Sequence, residues 1–300
     1  MPDIAMRFNK DIIVVEGGME TMLERAGFTD EPCLPYLNVL EPEAIIDVHR
    51  YYHLAGAQAV ITNTFGATAA QLSVHGLSDR MEELNHAGML LARTCKPEHI
   101  LACVGPSGIE ILPPEEDGPD PSVSYQAASG QYADQIAVLA ADEPDAILLD
   151  TFESIADLVC ALDACRKSCA LPVIASCSCT PEGTLSGSSE TLASAARACE
   201  AAGADVFGIN CIVSPDEMLP LLKTAREQTG LPLLVRPDVS TGARRGTAPR
   251  IAGSPSQMEQ RALDYWRAGA QFIGTCCGST PAYTGAIYAS VSGLDVVVRR

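Results

Sequence analysis

The sequence predicts a single-domain (β/α)8 barrel, because short apolar runs alternate with helical patterns and the alternation is completed eight times in 300 residues. The apolar runs are nearly continuous, as expected for parallel strands that are covered on both faces. Nothing resembling a linker or a low-complexity tract interrupts them, so we expect residues 1–300 to form one domain. The eight predicted strands are residues 11–18, 59–65, 100–106, 146–152, 172–178, 205–211, 232–237 and 271–276.

Several segments between the predicted strands have helical periodicity and helix-terminal signals. Residues 42–56 carry apolar side chains at helical spacing. Residues 188–203, 214–230 and 254–269 each begin at a serine, including Ser188 as a predicted N-cap, and each ends at a glycine. Residues 112–121 are rich in proline and acidic side chains, so we expect one long loop after the third strand.

An open, doubly wound sheet is the alternative fold. Such a sheet usually carries a glycine-rich phosphate loop after its first strand. The first predicted strand leads into Glu16-Gly-Gly-Met-Glu20, which does not match GxGxxG, so dinucleotide binding is not expected.

Composition excludes several classes of partner. The formal charge is 20 − 38 = −18, which disfavours binding to nucleic acid and to anionic lipid. Apolar residues make up 47% of the chain and the mean hydropathy is +0.12, so a large core can form. We find no run of eighteen apolar residues and no export signal, and we therefore expect a cytoplasmic protein whose twelve cysteines are reduced. Most of these cysteines are expected in the core.

Polar and reactive side chains gather at the predicted carboxyl ends of the strands, where a barrel places its active site. Three of them are thiols, which is the number of protein ligands that a catalytic zinc site with one open position requires. Ordinary buried cysteines or a redox pair are the alternatives for the thiols. The candidate site residues are Glu16, Gly17, Gly18, Asn63, Asp150, Asn210, Cys211, Cys276 and Cys277.

Two further groups of potential ligands receive a structural interpretation. Cys177 and Cys179 form a C-x-C at the end of the fifth strand, and core packing is favoured over a second ligand pair. The five histidines are expected on helices or at their ends, as surface or helix-packing residues; they are His49, His53, His75, His86 and His99.

Across nearly its whole length the chain resembles the zinc-dependent homocysteine S-methyltransferases, a (β/α)8 barrel family. The two most specific motifs are Gly208-Ile-Asn-Cys211 and Gly274-Thr-Cys-Cys-Gly278, which match the zinc-ligand motifs of that family. Further matches lie at residues 16–23, 61–67, 150–153 and 183–187. The resemblance implies one zinc ion per chain, bound by Cys211, Cys276 and Cys277, with the thiol of homocysteine as the fourth ligand.

The same resemblance implies roles for the remaining candidates. Carboxylates at Glu16 and Asp150 would hold the amino group of the substrate, and main-chain amides around Gly17 and Gly18 would hold its carboxylate. We also expect Asn63 and Asn210 to hydrogen-bond near the site.

The chain departs from the family pattern at the first, fourth and seventh strands. Glu16 stands where Asp is usual, and Asp150 stands where Glu is usual. Val235-Arg-Pro-Asp-Val-Ser-Thr-Gly242 stands where the family usually has a Pro-Asn-Ala/Ser-Gly stretch, and its Arg236 and Asp238 are departures that concern the methyl-donor side. The alternatives are therefore methyl transfer to a different thiol or selenol, a non-catalytic zinc-binding or thiol-sensing barrel, and a vicinal-dithiol redox protein.

The methyl donor is the least determined element. Residues 36–44 resemble the homocysteine-binding module of cobalamin-dependent methionine synthase more than the betaine enzymes. Betaine is disfavoured, because its quaternary ammonium needs an aromatic cage and the sole tryptophan, Trp266, is predicted on a helix. Since the chain ends just after the eighth predicted helix, we expect the donor to be methylcobalamin on a separate corrinoid protein, or a small methyl donor such as a sulfonium.

Overall fold

The computed structural model describes residues 3–29, 31, 33–111, 120–240 and 253–294, and it contains all eight predicted strands. Every strand is parallel to its neighbours. The strands are β1 (Ile13–Val14), β2 (Ala59–Ile61), β3 (His99–Val104), β4 (Ala146–Phe152), β5 (Val173–Cys177), β6 (Val206–Asn210), β7 (Leu233–Arg236) and β8 (Ala270–Ile273).

The sheet closes on itself. Seven strand pairs follow the order β1-β8-β7-β6-β5-β4-β3-β2. The eighth contact joins β1 to β2 through a parallel bridge between Val15 and Ala59, where the amide of Glu16 donates to the carbonyl of Ala59 at 3.0 Å. The amide of Gln58 donates in turn to the carbonyl of Val14 at 2.8 Å. The predicted (β/α)8 barrel is therefore confirmed, and the open-sheet alternative is excluded.

Helices cover the outside of the barrel. The described residues form α1 (Met19–Arg25), α2 (Leu37–Leu40), α3 (Pro42–Leu54), α4 (Ala69–Ser73), α5 (Met81–Arg93), α6 (Pro121–Ala141), α7 (Ile155–Ser168), α8 (Leu192–Ala201), α9 (Pro215–Gln228), α10 (Pro255–Arg267) and α11 (Pro281–Val291). None of these helices combines the length and the apolar character that crossing a lipid bilayer would need. Most of the predicted long loop, residues 112–119, lies outside the described residues.

One predicted helix start is wrong. The sequence places an N-cap at Ser188, but α8 begins at Leu192 and its cap is Thr191, whose hydroxyl accepts from the amide of Ser194. Ser188 lies in the preceding turn, where its hydroxyl donates to the carboxylate of Glu190 at 3.0 Å. A serine hydroxyl can hydrogen-bond within a turn as well as at a helix N-terminus. The bond of Ser188 to Glu190 explains why Ser188 does not cap α8.

The barrel interior is filled with apolar side chains, and a short N-terminal helix covers its lower end. Ile4, in a 3-10 helix at Ile4–Arg7, is fully buried in the same cluster as the inward side chains of the strands. Phe8 packs edge-on against Phe272 of β8 with 6.0 Å between ring centroids. Arg7 bonds to Asp11, which precedes β1, so this helix lies at the amino ends of the strands. The opposite end remains available for a site.

One histidine differs from its expected placement. His99 is not on a helix; it opens β3 and is fully buried. Its ring lies within hydrogen-bond distance of Asp145 (3.2 Å) and of the guanidinium of Arg7 (3.1 Å). These partners satisfy both ring nitrogens, which is what allows a histidine to be buried at a strand end.

Candidate active site

A cavity of about 530 Å³ opens at the carboxyl ends of the strands. Seven of the nine candidate site residues line it, whereas Glu16 and Asn210 do not. The seven are Gly17, Gly18, Asn63, Asp150, Cys211, Cys276 and Cys277. Fold closure has thus gathered residues from β1, β2, β4, β6 and β8 around one opening.

The three predicted thiols converge at the cavity. The sulfur of Cys211 lies 3.0 Å from that of Cys276 and 3.4 Å from that of Cys277, and the two vicinal sulfurs are 3.9 Å apart. Within the described ranges this trio is the only group of three or more Cys, His, Asp or Glu side chains placed to share a metal ion.

Backbone geometry at the end of β6 directs Cys211 towards the other two thiols. Cys211 and Ile212 have φ values of +59° and +56°, in the left-handed region that ends the strand. The amide of Cys211 donates to the carbonyl of Arg236 at 2.9 Å, and the amide of Val213 donates to the carbonyl of Cys211 at 2.6 Å. Cys211 therefore lies in a tight turn that is hydrogen-bonded to the neighbouring strand, β7.

The vicinal pair lies in a turn beyond β8, which ends at Ile273. The amide of Cys276 donates to the carbonyl of Pro237 at 2.8 Å. Gly278 has φ +77°, and a Cβ atom there would lie 2.3 Å from the backbone of Ser240. Because consecutive side chains of an extended strand point to opposite faces, this departure from strand geometry is what lets both sulfurs reach one place.

The trio fits a divalent metal ion better than a disulfide. The observed separations of 3.0 to 3.9 Å exceed the roughly 2.05 Å of a disulfide bond. Tetrahedral zinc with bonds of about 2.3 Å holds its sulfur ligands about 3.8 Å apart. Hydrogen bonds with Cys211 and Cys277, together with burial, raise the pKa of the Cys276 thiol. A divalent cation reverses this effect by stabilising thiolates, so the donor set suits such an ion.

Glu16 is buried just outside the cavity, with a relative exposure of 1%. One carboxylate oxygen accepts from the amide of Ile61 at 2.6 Å. The other lies 3.1 Å from Nδ1 of His49, a fully buried residue of α3. The sequence interpretation treated His49 only as a helix-packing residue, and its spacing on an amphipathic helix gave no signal for this partner.

Asp150 reaches the cavity but already has a cationic partner. Both of its carboxylate oxygens accept from Nη1 of Arg236 at 3.0 Å, and one also accepts from the hydroxyl of Ser176 at 3.0 Å. Arg236 is the last residue of β7. Its departure from the family pattern was visible in the sequence, but the pairing with Asp150 was not.

The two candidate asparagines are fixed by their own hydrogen bonds. The side-chain amide of Asn63 donates to the carbonyl of Leu34 at 2.8 Å and to Asn38 at 3.0 Å. The side-chain oxygen of Asn210 lies 3.1 Å from the hydroxyl oxygen of Ser176, and its side-chain amide donates to the hydroxyl of Thr151 at 2.5 Å. Asn63 therefore shapes the cavity wall, while Asn210 supports the residues behind it.

The backbone of Gly17 and Gly18 is packed tightly against the loop that follows the vicinal cysteines. The amide of Gly18 donates to the hydroxyl of Ser279 at 2.8 Å, and the hydroxyl of Tyr52 lies 3.0 Å from the same atom. A Cβ atom at Gly17 would lie 2.0 Å from the Ser279 hydroxyl oxygen. Ser279 and Tyr52 were not singled out in the sequence, where the tyrosine reads as one apolar position of a helix.

The second cysteine pair does not line the cavity. Cys177 and Cys179 are both buried in the main apolar cluster, and the sulfur of Cys177 lies 3.8 Å from the carbonyl of Gly208. Burial raises the pKa of both thiols, which keeps them protonated. This environment agrees with the core-packing interpretation.

The chain is similar to proteins of known activity. Methionine synthase of Mycobacterium tuberculosis is 27% identical over 97% of this chain, which spans about a quarter (26%) of that enzyme. Betaine–homocysteine S-methyltransferase 1 of Bos taurus is 26% identical over 92% of this chain and 71% of its own length. The metallated form of the homocysteine methyltransferase MmuM from Escherichia coli has the same fold, with a TM-score of 0.75 and 23% identity; the match covers 93% of this chain and 96% of that one.

A family model described as homocysteine S-methyltransferase matches residues 13–291, a range that begins with β1, ends with α11 and includes all three thiols of the cavity. The resemblance inferred from the motifs is thereby confirmed, and the chain belongs to the homocysteine S-methyltransferase family.

Proposed function

We propose that this barrel transfers a methyl group to the thiol of homocysteine and so forms methionine. The observation that carries the proposal is the convergence of three cysteine sulfurs, from the ends of β6 and β8, on one open cavity. Membership in the homocysteine S-methyltransferase family supports the choice of acceptor.

Cys211, Cys276 and Cys277 would hold one zinc ion per chain. When bound, zinc supplies a Lewis acid that lowers the pKa of a thiol ligand and keeps its sulfur nucleophilic near neutral pH. Three protein thiolates leave the fourth tetrahedral position to the substrate, which is the arrangement of catalytic zinc sites.

The chain's own residues orient the acceptor. Gly17, Gly18, Asn63 and Asp150 line the cavity beside the thiols and would contact the amino acid head of homocysteine. Glu16 and Asn210 lie behind this wall and hold it in place, so the anchoring of the amino group assigned to Glu16 stays a prediction. Holding the substrate sulfur in line with the methyl carbon would account for much of the rate enhancement.

The reaction is a nucleophilic displacement. The substrate sulfur attacks the methyl carbon as the bond between that carbon and the donor breaks, and the donor leaves with the bonding electron pair. The thiol proton is released to solvent before the attack, so the thioether product is neutral, and the charge of the leaving group depends on the donor.

For the donor, we favour a methyl-corrinoid carried by a separate protein, with a small sulfonium as the alternative. The resemblance of residues 36–44 to the module of cobalamin-dependent methionine synthase supports the first. Among the described residues that line the cavity, Phe65 is the only Phe, Tyr or Trp side chain. One ring does not form a cage for a quaternary ammonium, which argues against betaine.

A donor panel with homocysteine tests the proposal. The zinc-loaded protein is incubated with methylcobalamin, S-methylmethionine, S-adenosylmethionine, methyltetrahydrofolate or betaine, and methionine is measured by mass spectrometry. We expect methionine with methylcobalamin. Bound zinc without methionine from any donor would favour the non-catalytic barrel, whereas methylation of a competing thiol or selenol in preference to homocysteine would change the acceptor. Reversible loss of two thiols without metal would favour the redox protein.

A further inference from the structure

Arg236 places a positive charge inside the proposed substrate cavity. It lines the cavity, and its side chain is 5% exposed. No other Lys or Arg is found among the described lining residues. A cation buried at this depth must be compensated, so its partners decide what it can still bind.

The compensation of Arg236 uses one of its nitrogens. Nη1 donates to both oxygens of Asp150 at 3.0 Å, while Nε is buried and has no partner among the described residues. An arginine guanidinium stays charged in proteins, and the carboxylate of Asp150 compensates that charge here. Guanidinium groups carry five N–H donors in a planar fork that matches a carboxylate.

The position of Arg236 couples this charge to the thiols. Its main-chain carbonyl accepts from the amide of Cys211 at 2.9 Å, and its side chain reaches Asp150 of β4. A substrate whose sulfur lies beside the three cysteine sulfurs would therefore also lie beside the guanidinium of Arg236.

Two other groups that line the cavity, the carboxylate of Asp150 and the amide of Gly18, already have partners within the protein. The carboxylate of Asp150 faces a cation, so its attraction for a substrate ammonium is reduced. The amide of Gly18, one of the groups expected to bind the substrate carboxylate, donates to the hydroxyl of Ser279 at 2.8 Å. The guanidinium of Arg236, by contrast, keeps a nitrogen, Nε, without a partner among the described residues.

We propose that Arg236 determines which thiols the cavity accepts, by binding the carboxylate of the substrate. The inference rests on the proposed function, because the thiol end would be held at Cys211, Cys276 and Cys277. It assigns the substrate class as thiols that carry a carboxylate at the distance found in homocysteine. The carboxylate is selected by charge, and the amino group contributes less because Asp150 is already neutralised.

Two truncated analogues of homocysteine separate these contributions. 4-Mercaptobutyrate lacks the amino group, and 3-mercaptopropylamine lacks the carboxylate. Calorimetric titration of the zinc-loaded protein, with no methyl donor present, measures binding independently of turnover. We expect 4-mercaptobutyrate to bind within about threefold of homocysteine and 3-mercaptopropylamine to bind about 10–100-fold more weakly, as for loss of a charge-assisted hydrogen bond.

Variants connect this preference to Arg236. We expect Arg236→Met to abolish the preference for 4-mercaptobutyrate over the amine, and Arg236→Lys to restore part of it. Since Arg236→Met leaves Asp150 buried without a cation and endangers folding, the double variant Arg236→Met/Asp150→Asn provides a neutral pair of similar size. Arg261→Met, which removes an arginine paired with Asp216 on the outer surface, is the matched control and should keep the preference.

The outcomes separate the inference from the proposed function. Equal binding of the two analogues by the wild type, or an unchanged preference in folded Arg236→Met/Asp150→Asn, would overturn the role of Arg236 and leave methyl transfer to homocysteine standing. Failure of all three thiols to bind the zinc-loaded wild type would overturn the proposed function, and with it the inference. Loss of the preference only in the variants that lack the guanidinium supports the assignment.

Discussion

The sulfur atoms of Cys211 and Cys276 lie 3.0 Å apart, although 65 positions separate the residues in the sequence. The pairing of β6 with β7, and of β7 with β8, brings the two strand ends to the same rim. Zinc binding is therefore expected to depend on the fold as well as on the thiols.

Removal of a single ligand thiol should abolish stoichiometric zinc binding. Cys211→Ala and Cys277→Ala each leave two sulfurs, too few for a stable tetrahedral site. We expect metal analysis of the purified proteins to give about one zinc per wild-type chain and far less in either variant. Cys177→Ala is the control, because its sulfur lies in the core, and it should retain the metal. Full zinc in both ligand variants would refute the assignment.

Chelation should remove both zinc and activity, and zinc should restore both. An ion that binds the folded chain and not the unfolded one stabilises the fold, so its removal is also expected to lower the melting temperature. The measurement is methionine formation and thermal unfolding before and after dialysis against a chelator, followed by refilling with zinc. Activity that persists in protein shown to be free of metal would contradict a zinc-dependent mechanism.

Gly278→Ala should damage the metal site through the backbone. A residue with a side chain at φ +77° costs roughly 1–2 kcal/mol, and the added methyl would also lie 2.3 Å from Ser240. Repulsion of this kind typically adds about 1–3 kcal/mol. We expect a lower free energy of unfolding in urea together with weaker zinc binding.

Gly76→Ala is the matched control for that variant. Gly76 has a similar φ of +70°, but nothing lies within 4 Å of the position its Cβ atom would occupy. The Gly76→Ala variant should lose only the unfolding free energy due to its positive φ, and it should still bind zinc. An equal loss of stability in the two variants would mean that contact with Ser240 is unimportant.

The buried pair of Glu16 and His49 is expected to stabilise the fold. His49→Ala leaves the carboxylate of Glu16 without one of its two partners at a position that is 1% exposed, and leaving a buried acceptor unsatisfied typically costs about 1–3 kcal/mol. Urea unfolding measures this cost. His53→Ala, one turn along α3 and bonded to the carbonyl of Ala57, should cost much less. Comparable losses in both variants would show that Glu16 gains little from His49.

Sequence patterns predicted the strands well because each is a short apolar run with a polar or glycine-rich end. The range 146–152 coincides with β4, and the predicted range 271–276 overlaps β8 but extends past its end at Ile273. The excess in the second case includes Cys276, the first of the vicinal cysteines, whose apolar neighbours resemble a strand, while Gly278 turns the chain. Periodicity reports burial, and it does not report where a backbone leaves the extended conformation.

Side-chain partners were less accessible to sequence reasoning. Asp150 was expected to meet an ammonium group of the substrate, yet the structure pairs it with Arg236, 86 positions away. His99 was expected on a helix or at a helix end, and it begins a strand, with its ring beside Asp145. Such pairs depend on strand register, which sets which side chains of neighbouring strands share a face.

The sequence by itself determined the barrel, the identity of the three thiols and the family, because alternating apolar runs and short motifs are local properties of the chain. Only the tertiary structure showed that Arg236 pairs with Asp150 and that the buried carboxylate of Glu16 contacts His49. It also showed that the three cysteine sulfurs lie within 4 Å of one another. The physical reason is that hydrogen bonds and charges act over a few ångströms in space, and only the closed sheet brings residues distant in sequence within that range.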